Sequence, residues 1–289
     1  MRVVVLGAGL MGAQIGVEYA SGGHEVTFVA RDLAALRARV DEALALAERL
    51  GRAAGTSGVA LAPAAADVGP ADLVVESLPE DLELKAALLR PLVERLPEAI
   101  VATNTSSLSI TALGEAIGAP TRTVGAHYWN PPLLMPLVEV VPGEGTSPEV
   151  AARLTDVLER LGKHPVRIER DVAGFIWNRL QLAVMREALW LADNGVATPE
   201  TVDTVVREGL ARRWSQVGPF AAAALGGAAT WLTVGENLLP ELSAEPDLAT
   251  LPRWLEQDPA RLQAIRDHRD AGLAEQLRRD DAGSSTDAT

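Results

Sequence analysis

Three glycines near the start of the sequence have the spacing of a phosphate-binding loop. Gly7, Gly9 and Gly12 match the pattern G-x-G-x-x-G, directly after an apolar run at Arg2–Leu6 and at the start of a helical pattern. The first glycine permits a tight turn, the second lets backbone amides approach a pyrophosphate, and the third allows close helix packing. The loop is predicted to bind a dinucleotide at the helix N-terminus through Gly7, Gly9, Leu10, Met11 and Gly12.

The residues after the next apolar run bear on which dinucleotide is bound. An Asp or Glu at this point commonly holds the 2′-hydroxyl of NAD, but Ala30 occupies the position and Arg31 follows it. Loss of a carboxylate and gain of a guanidinium suit a 2′-phosphate, so the sequence favours NADP over NAD. The alternative is that Asp32 holds the ribose and Arg31 is a solvated surface charge.

A histidine and a glutamate could carry a proton beside such a cofactor. His127 ends one apolar run, and Glu139 lies inside the next, where an unpaired buried carboxylate would be costly. If the two strands are adjacent, the imidazole can take a proton from a substrate alcohol while hydride leaves the carbon. The carboxylate would then fix the ring tautomer. A lone histidine at a strand end is otherwise more often structural.

Hydroxyl and amide side chains lie near the same predicted sheet edge. Ser106 could hold the substrate oxygen, and Asn104, Asn130 or Asn178 could hold that oxygen or the nicotinamide. Runs rich in Ser, Thr and Asn are usually turns, and this simpler interpretation stays open.

Composition narrows the class of protein. The 289 residues carry a net charge of −13, which disfavours nucleic acid and acidic membranes as partners. The sequence has no cysteine, which excludes disulfides and Cys-ligated zinc, and we predict no metal site. No secretory signal or spanning segment is recognisable, so the expectation is a soluble cytoplasmic enzyme.

The order of apolar patterns predicts an α/β fold, a doubly wound Rossmann sheet followed by an all-α domain. The predicted domains are residues 1–169 for the dinucleotide and 170–279 for substrate and dimerisation, with a disordered tail at 280–289. Asp171 is predicted to cap the first helix of the second domain, and Gly51–Gly58 to form a loop. Strands are predicted at Arg2–Leu6, Val26–Ala30, Leu73–Val75, Ile100–Thr103, Thr123–His127, Leu137–Val141 and Pro165–Ile168.

With these motifs the sequence resembles the 3-hydroxyacyl-CoA dehydrogenase family over almost its whole length to about residue 240. The shared stretches are GAGLMG, ESLPEDLELK ending at Lys85, ATNTSSLSI, HYWNPPLLMPLVEVVPG, GKHPVRIERDVAGFIWNR and Gly218-Pro219-Phe220. The resemblance implies that His127 is the general base and Glu139 its orienting partner. It further implies a hydroxyl near the reacting oxygen at Ser106, a substrate-side amide at Asn178, and cleft residues Glu80, Lys85 and Asn130.

The family relation implies an enzyme that interconverts an L-3-hydroxyacyl-CoA, or a related 3-hydroxyacyl thioester, and its 3-ketoacyl form by hydride transfer, as a homodimer through the helical domain. Two departures favour the alternative, a dehydrogenase of a small free hydroxy acid. No lysine precedes Lys85 to meet CoA phosphates, although arginines could replace it. The run Gly209–Trp214 also resembles the L-gulonate, lambda-crystallin and carnitine dehydrogenase group, with Arg213 as a carboxylate clamp or a simple helix cap. A dinucleotide-binding protein without activity is disfavoured, since it would not need the buried His–Glu pair.

Overall fold

The computed structural model describes residues 1–7, 9–52 and 58–284 of the chain. The chain divides into two compact units, of which the second is Trp177–Gln263 and the first comprises Met1–Ile176 and the residues from Ala264 onward. The sequence predicted a domain boundary after residue 169, and the division between the units lies after Ile176. Among the described residues, no helix has the length and apolarity needed to cross a bilayer.

The first unit is built on an eight-stranded sheet with the order β3-β2-β1-β4-β5-β6-β7-β8. All neighbouring strands are parallel except β6 and β7, which are antiparallel. The order reverses between β1 and β4, which is the place where open α/β sheets bind ligands. The strands are β1 Arg2–Leu6, β2 Glu25–Val29, β3 Val59–Ala62, β4 Leu73–Glu76, β5 Ile100–Thr103, β6 Thr123–Tyr128, β7 Leu137–Pro142 and β8 His164–Arg167.

Helices cover both faces of this sheet. Alternate residues of β1 point to opposite faces, so that Val3 and Val5 join one hydrophobic core while Val4 and Leu6 join the other. This double burial explains why the central strands are continuously apolar. The helices of this part are α1 Leu10–Ser21, α2 Leu33–Arg49, α3 Leu82–Arg95, α4 Ile110–Ala116 and α5 Pro148–Arg160, with 3₁₀ turns at Ala65–Asp67 and Pro120–Arg122.

The second unit is helical. Thr198 caps α7 by accepting a hydrogen bond from the Thr201 amide, and Gly195 adopts a φ of 66° after α6, where a glycine commonly ends a helix. Its helices are α6 Trp177–Asp193, α7 Pro199–Val205, a π-helical segment Val206–Ala211, α8 Arg212–Trp214, α9 Pro219–Gly226 and α10 Ala228–Leu238. Two 3₁₀ turns, Leu239–Glu241 and Leu251–Arg253, precede α11 Pro259–Ser284, which continues into the first unit.

Two features of the sheet differ from the sequence prediction. The edge strand β3 was not predicted, because four residues with one β-branched side chain give little signal and pairing with β2 decides their structure. The β6–β7 pair is antiparallel because the short connection between them closes a hairpin, whereas a parallel crossover needs a dozen or more residues. Residues 53–57 of the predicted loop lie outside the described residues.

Two predictions, one for the start of α6 and one for the C-terminal tail, also differ from the structure. Asp171 does not cap α6, which begins at Trp177. Its Oδ2 instead accepts hydrogen bonds from Ser109 Oγ and from the amide and hydroxyl of Thr111, at the start of α4. The predicted disordered tail is wrong for residues 280–284, since α11 continues to Ser284. Residues 285–289 lie outside the described residues.

Candidate active site

The glycine loop joins β1 to α1 and forms one wall of a cavity. Gly7 has a φ of 107°, and a Cβ there would lie 2.3 Å from the Ser77 carbonyl oxygen, so only glycine fits. A Cβ on Gly12 would lie 2.1 Å from the Gly7 oxygen. A Cβ on Gly9 would meet nothing within 4 Å, because this residue faces the open cavity. The backbone is thus shaped for a phosphate group at the N-terminus of α1.

The cavity lies at the carboxyl ends of β1, β2, β4 and β5 and has a volume of about 950 Å³. This is within the usual range for a cofactor pocket, which is roughly 300 to 1,000 Å³. Its walls include the glycine loop with Leu10 and Met11, the segment Ser77–Glu80, and the polar side chains of Asn104, Ser106 and Ser107. The residues present therefore fit an extended dinucleotide.

One end of the cavity is formed by residues that follow β2. Ala30 and Arg31 line it, and Arg39 reaches it from α2. Asp32 is the N-cap of α2, and its Oδ1 accepts the Ala35 amide at 2.9 Å. The carboxylate that could have held a ribose hydroxyl thus stabilises the start of a helix.

Buried charges behind the cavity hold the loop that carries Ser106. Lys85 Nζ lies 2.7 Å from Glu76 Oε1 and 3.4 Å from Glu80 Oε2. Glu80 Oε1 in turn accepts hydrogen bonds from the Thr105 hydroxyl at 2.6 Å and from the Ser106 amide at 2.8 Å. Glu80 lines the cavity, as the resemblance implies, whereas Lys85 is not among the described lining residues and supports Glu80 from behind.

The hydrogen bonds to Glu80 determine its ionisation. Burial opposes the charged form, but hydrogen bonds from Thr105, Ser107 and Ser106, together with the charge of Lys85, lower the pKa of Glu80 to about 2. Glu80 is therefore an anion throughout the neutral range. An anion that accepts several bonds from residues 105–107 fixes the backbone that carries the Ser106 hydroxyl.

His127 and Glu139 form a buried pair across the β6–β7 hairpin. They are direct partners in the strand register, and His127 Nδ1 lies 2.6 Å from Glu139 Oε2. Because the carboxylate accepts the Nδ1 proton, we assign the ring tautomer that carries its lone pair on Nε2. Nε2 lies 3.2 Å from Ser106 Oγ, a residue of the cavity wall. The geometry thus presents a proton acceptor at the cavity, backed by a carboxylate.

Sequence reasoning missed two groups that hold this pair. The amide of Ile176 donates to Glu139 Oε1 at 3.0 Å, and the Phe175 ring meets the His127 ring edge-on at 5.4 Å between centroids. Phe175 is buried and has a φ of 49°, unusual for a bulky residue. The apolar sequence around Glu139 signalled the carboxylate, but no sequence pattern signals a backbone donor or a ring contact. Glu76, at the end of a similarly apolar strand, could have been found by the same signal.

Four further residues were predicted for the site, and they lie in different parts of the chain. Asn104 lines the cavity, and its Oδ1 accepts the Tyr128 amide at 2.9 Å. Asn130 is exposed, and the peptide bond between it and Pro131 is cis. Asn178, on α6, and Arg213, on α8, belong to the second unit. Their roles stay predictions.

The chain matches known proteins over nearly its whole length. Residues 2–172 match the family profile "3-hydroxyacyl-CoA dehydrogenase, NAD binding domain", and residues 174–257 match the C-terminal domain of the same family. A 5-formyl-3-hydroxy-2-methylpyridine 4-carboxylate 5-dehydrogenase of Mesorhizobium japonicum is 36% identical over 269 residues, covering 90% of this chain and 86% of the relative. An L-carnitine dehydrogenase of Streptomyces coelicolor is 38% identical over 235 residues, covering 78% of this chain and 73% of the relative.

A solved structure of a protein with nearly the same name as the Mesorhizobium relative has the same fold as this chain. It is a 5-formyl-3-hydroxy-2-methylpyridine 4-carboxylic acid 5-dehydrogenase, described as an NAD+ dependent dismutase. It superposes with a TM-score of 0.87 at 30% identity and covers 96% of this chain and 97% of its own. The likeness therefore includes both units.

Proposed function

Because the chain belongs to the 3-hydroxyacyl-CoA dehydrogenase family, we propose that it oxidises the alcohol of a small free carboxylic acid, or reduces the corresponding carbonyl. The enzyme is an oxidoreductase, and its first unit is a nicotinamide dinucleotide-binding domain. The observation that carries the proposal is the hydrogen-bonded series Ser106, His127 and Glu139, in which Ser106 lines the cavity.

The three side chains have different roles in the transfer of one proton. Bound nicotinamide would supply the acceptor for the hydride that leaves the carbinol carbon. Ser106 Oγ and His127 Nε2 would both hydrogen-bond the substrate hydroxyl, and Nε2 would take its proton as the C=O bond forms. Glu139 then stabilises the positive charge on the imidazolium through Nδ1. In the reverse direction, His127 returns the proton to the carbonyl oxygen.

A free acid is favoured over a CoA thioester by the positive charges that this chain offers. Its two lysines, Lys85 and Lys163, are 1% and 3% exposed, so neither can meet a phosphate in solution. Of the four arginines that could replace them, Arg52 is bound to Glu18 and Arg39 lines the dinucleotide cavity, while Arg37 and Arg49 are exposed on α2. Among the relatives, one is named for a pyridine carboxylate and one for L-carnitine, whereas a probable 3-hydroxybutyryl-CoA dehydrogenase of Deinococcus radiodurans, 39% identical over 60% of this chain, is named for a CoA thioester. The CoA thioester stays the second candidate, which the family name favours.

A substrate panel tests the proposal. Purified enzyme is mixed with small hydroxy acids, L-carnitine, a pyridine carboxylate alcohol and 3-hydroxybutyryl-CoA, and cofactor reduction is followed at 340 nm. We expect the highest kcat/KM with a free acid. A preference for the CoA thioester would reject the substrate class and keep the reaction, whereas no turnover of any alcohol would count against the reaction itself.

The carboxylate of such a substrate needs a cationic partner. We propose Arg213, since a guanidinium binds a carboxylate with two parallel hydrogen bonds. Its neighbour Arg212 lies 3.9 Å from Glu208 and serves as a matched control. Arg213→Met should raise KM for the acid at least tenfold, the cost of one charge-assisted bond, and Arg212→Met should leave it within twofold. Equal effects of both substitutions would reject the assignment.

The cofactor is proposed to be NADP. Ala30 removes the acid that would repel a 2′-phosphate, Asp32 is engaged as a helix cap, and Arg31 lies on the cavity wall. Titration with NADH and NADPH, followed by quenching of tryptophan fluorescence, measures the preference directly. A lower Kd for NADH would contradict the proposal and favour NAD.

The second unit is proposed to pair with a second copy of the chain. Its helices α9 and α10 expose large apolar side chains, among them Phe220 at 91%, Leu225 at 80% and Leu232 at 66%. Apolar surface of this kind commonly marks an interface. Sedimentation should give twice the mass of the chain, and Leu232→Asp should lower it; a monomer at micromolar concentration would contradict the proposal.

A further inference from the structure

Lys163 is buried and lies outside the Ser106 network. Its Nζ lies 2.8 Å from the Pro132 carbonyl oxygen, 3.2 Å from the Met135 carbonyl oxygen and 3.0 Å from Glu18 Oε2. An ammonium group has three hydrogens, so each can be donated to one of these oxygens. Nothing in the proton transfer uses this lysine.

Glu18 connects Lys163 to the helix that follows the glycine loop. It lies on α1 and is buried, and both of its oxygens also accept from Arg52 Nη1, at 2.7 and 2.8 Å. Burial lowers the pKa of Lys163, and the charge of Glu18 opposes that effect. One carboxylate is therefore shared by two cations, and among the contacts described for these cations Lys163 alone reaches the chain between β6 and β7.

A second contact joins the same helix to the same segment. Gln14 lies one turn before Glu18 on α1, and its Oε1 accepts the Leu133 amide at 3.2 Å. Residues four apart lie on one face of a helix, so this face of α1 holds residues 131–135 at two points. We refer to residues 131–135 as the hairpin turn.

The hairpin turn connects the strand of His127 to the strand of Glu139, and α1 begins at Leu10 on the cavity wall. The helix that receives the cofactor phosphates thus also holds the end of the catalytic hairpin. We infer that Lys163 is a positioning residue, which holds the hairpin turn against Glu18 and so fixes the His127–Glu139 pair relative to the phosphate-binding loop. The consequence for hydride transfer rests on the proposed function, whereas the contacts do not.

The simpler alternative is a buried charge cluster that serves stability alone. A buried ion pair is weak evidence for stabilisation, because desolvation offsets the attraction between the charges. Substitution of Arg52 distinguishes the two explanations, because Arg52 pairs with Glu18 but has no described contact with the hairpin turn. Lys163→Met and Arg52→Met each remove one cation from Glu18, and only the first releases the hairpin turn.

Hydrogen–deuterium exchange of the cofactor-free chain is the first measurement. Peptides that cover the hairpin turn should exchange faster in Lys163→Met and at the wild-type rate in Arg52→Met. The second measurement is turnover with the best substrate of the panel. Lys163→Met should lower kcat about tenfold or more, since a 1 Å misplacement can cost about 100-fold. Its Kd for the cofactor should stay within twofold, and the primary deuterium isotope effect on kcat should rise.

Several results would overturn the inference. Equal losses of kcat in Lys163→Met and Arg52→Met would indicate stability alone, and so would faster exchange with unchanged kcat. If Lys163→Met does not fold, Gln14→Met replaces it: faster exchange at the hairpin turn with lower kcat supports the inference, and no change in either rejects it. A wrong proposed reaction leaves the wild type inactive on the whole panel, whereas a wrong inference leaves the wild type active and the two variants alike.

Discussion

The two ends of the cavity differ in how firmly their polar groups are held. At the reaction end, His127 and Glu139 are buried, and each is bonded to a partner from another segment. At the adenosine end, Ala30 provides no polar side-chain group and Arg31 is exposed at the surface. On the proposed function, the difference teaches that contacts within the fold position the reacting groups, whereas a few surface residues would set the choice of cofactor. Substitutions at the first end should therefore lower turnover strongly, and substitutions at the second should change the preferred cofactor.

The largest effect is expected from His127→Gln at the reaction end. Glutamine fills similar space but cannot take a proton, so kcat should fall by roughly 10² to 10⁴, the usual contribution of general acid–base catalysis. Steady-state turnover and cofactor titration measure the two quantities separately. The Kd for the cofactor should stay near the wild-type value, and unchanged kcat would refute the role of His127.

A smaller loss is expected from Glu139→Gln. The amide keeps the shape and can still accept a hydrogen bond, but it brings no negative charge to the imidazolium. We expect kcat to fall on the order of 100-fold, since a carboxylate that orients and stabilises a histidine is worth at least this much. A thermal unfolding scan shows whether the variant is folded. A folded variant with wild-type kcat would show that Glu139 is only structural.

At the adenosine end, Arg31→Ser should change the cofactor preference without abolishing activity. Removing the guanidinium should raise the Kd for NADPH about tenfold, the cost of one charge-assisted contact, and leave the Kd for NADH within twofold. Arg37→Ser is the matched control, because Arg37 lies on α2 near Asp41 and is not among the described lining residues. Equal changes for both cofactors would remove the argument for NADP.

The smallest effect is a dependence of stability on acid pH through Glu80. The pKa of Glu80 is lowered from 4.5 to about 2, so the unfolded chain binds the proton more readily than the folded one. This contribution to stability is present above about pH 4.5 and is lost as the pH falls towards 2. In urea unfolding, Glu80→Gln should lose less stability than the wild type between about pH 5 and pH 3. Because Glu80 is partly exposed, the difference should be modest, and a larger loss in the variant would contradict the assignment.

Local patterns predicted the parts of the molecule that depend on neighbours in sequence. The glycine loop follows from three residues in a short span, and Glu139 was found because a carboxylate in an apolar strand needs a partner. Its pairing with His127 required only that the two strands be adjacent, and the structure confirms that contact. The α/β fold followed from the alternation of strand and helix patterns.

The contacts that support the site could not be predicted in this way. The Ile176 amide and the Phe175 ring reach the pair from a segment distant in sequence, and their side chains carry no chemical signal. The sequence around Lys163 does not indicate its partners, because its contact with the hairpin turn forms only in the folded chain. Asp171 precedes an apolar pattern typical of a helix, but α6 begins only at Trp177 and tertiary contact with Thr111 determines the partner of Asp171.

The central claim is that His127 and Glu139 act as one catalytic unit, and the double variant His127→Gln/Glu139→Gln tests it most directly. If Glu139 works only through the imidazole, its removal costs nothing once the imidazole is gone. Single-turnover absorbance at 340 nm with saturating cofactor and substrate gives the rate of the chemical step. The account predicts that the double variant is as slow as His127→Gln alone. A double variant slower by the full additional factor of Glu139→Gln would contradict it.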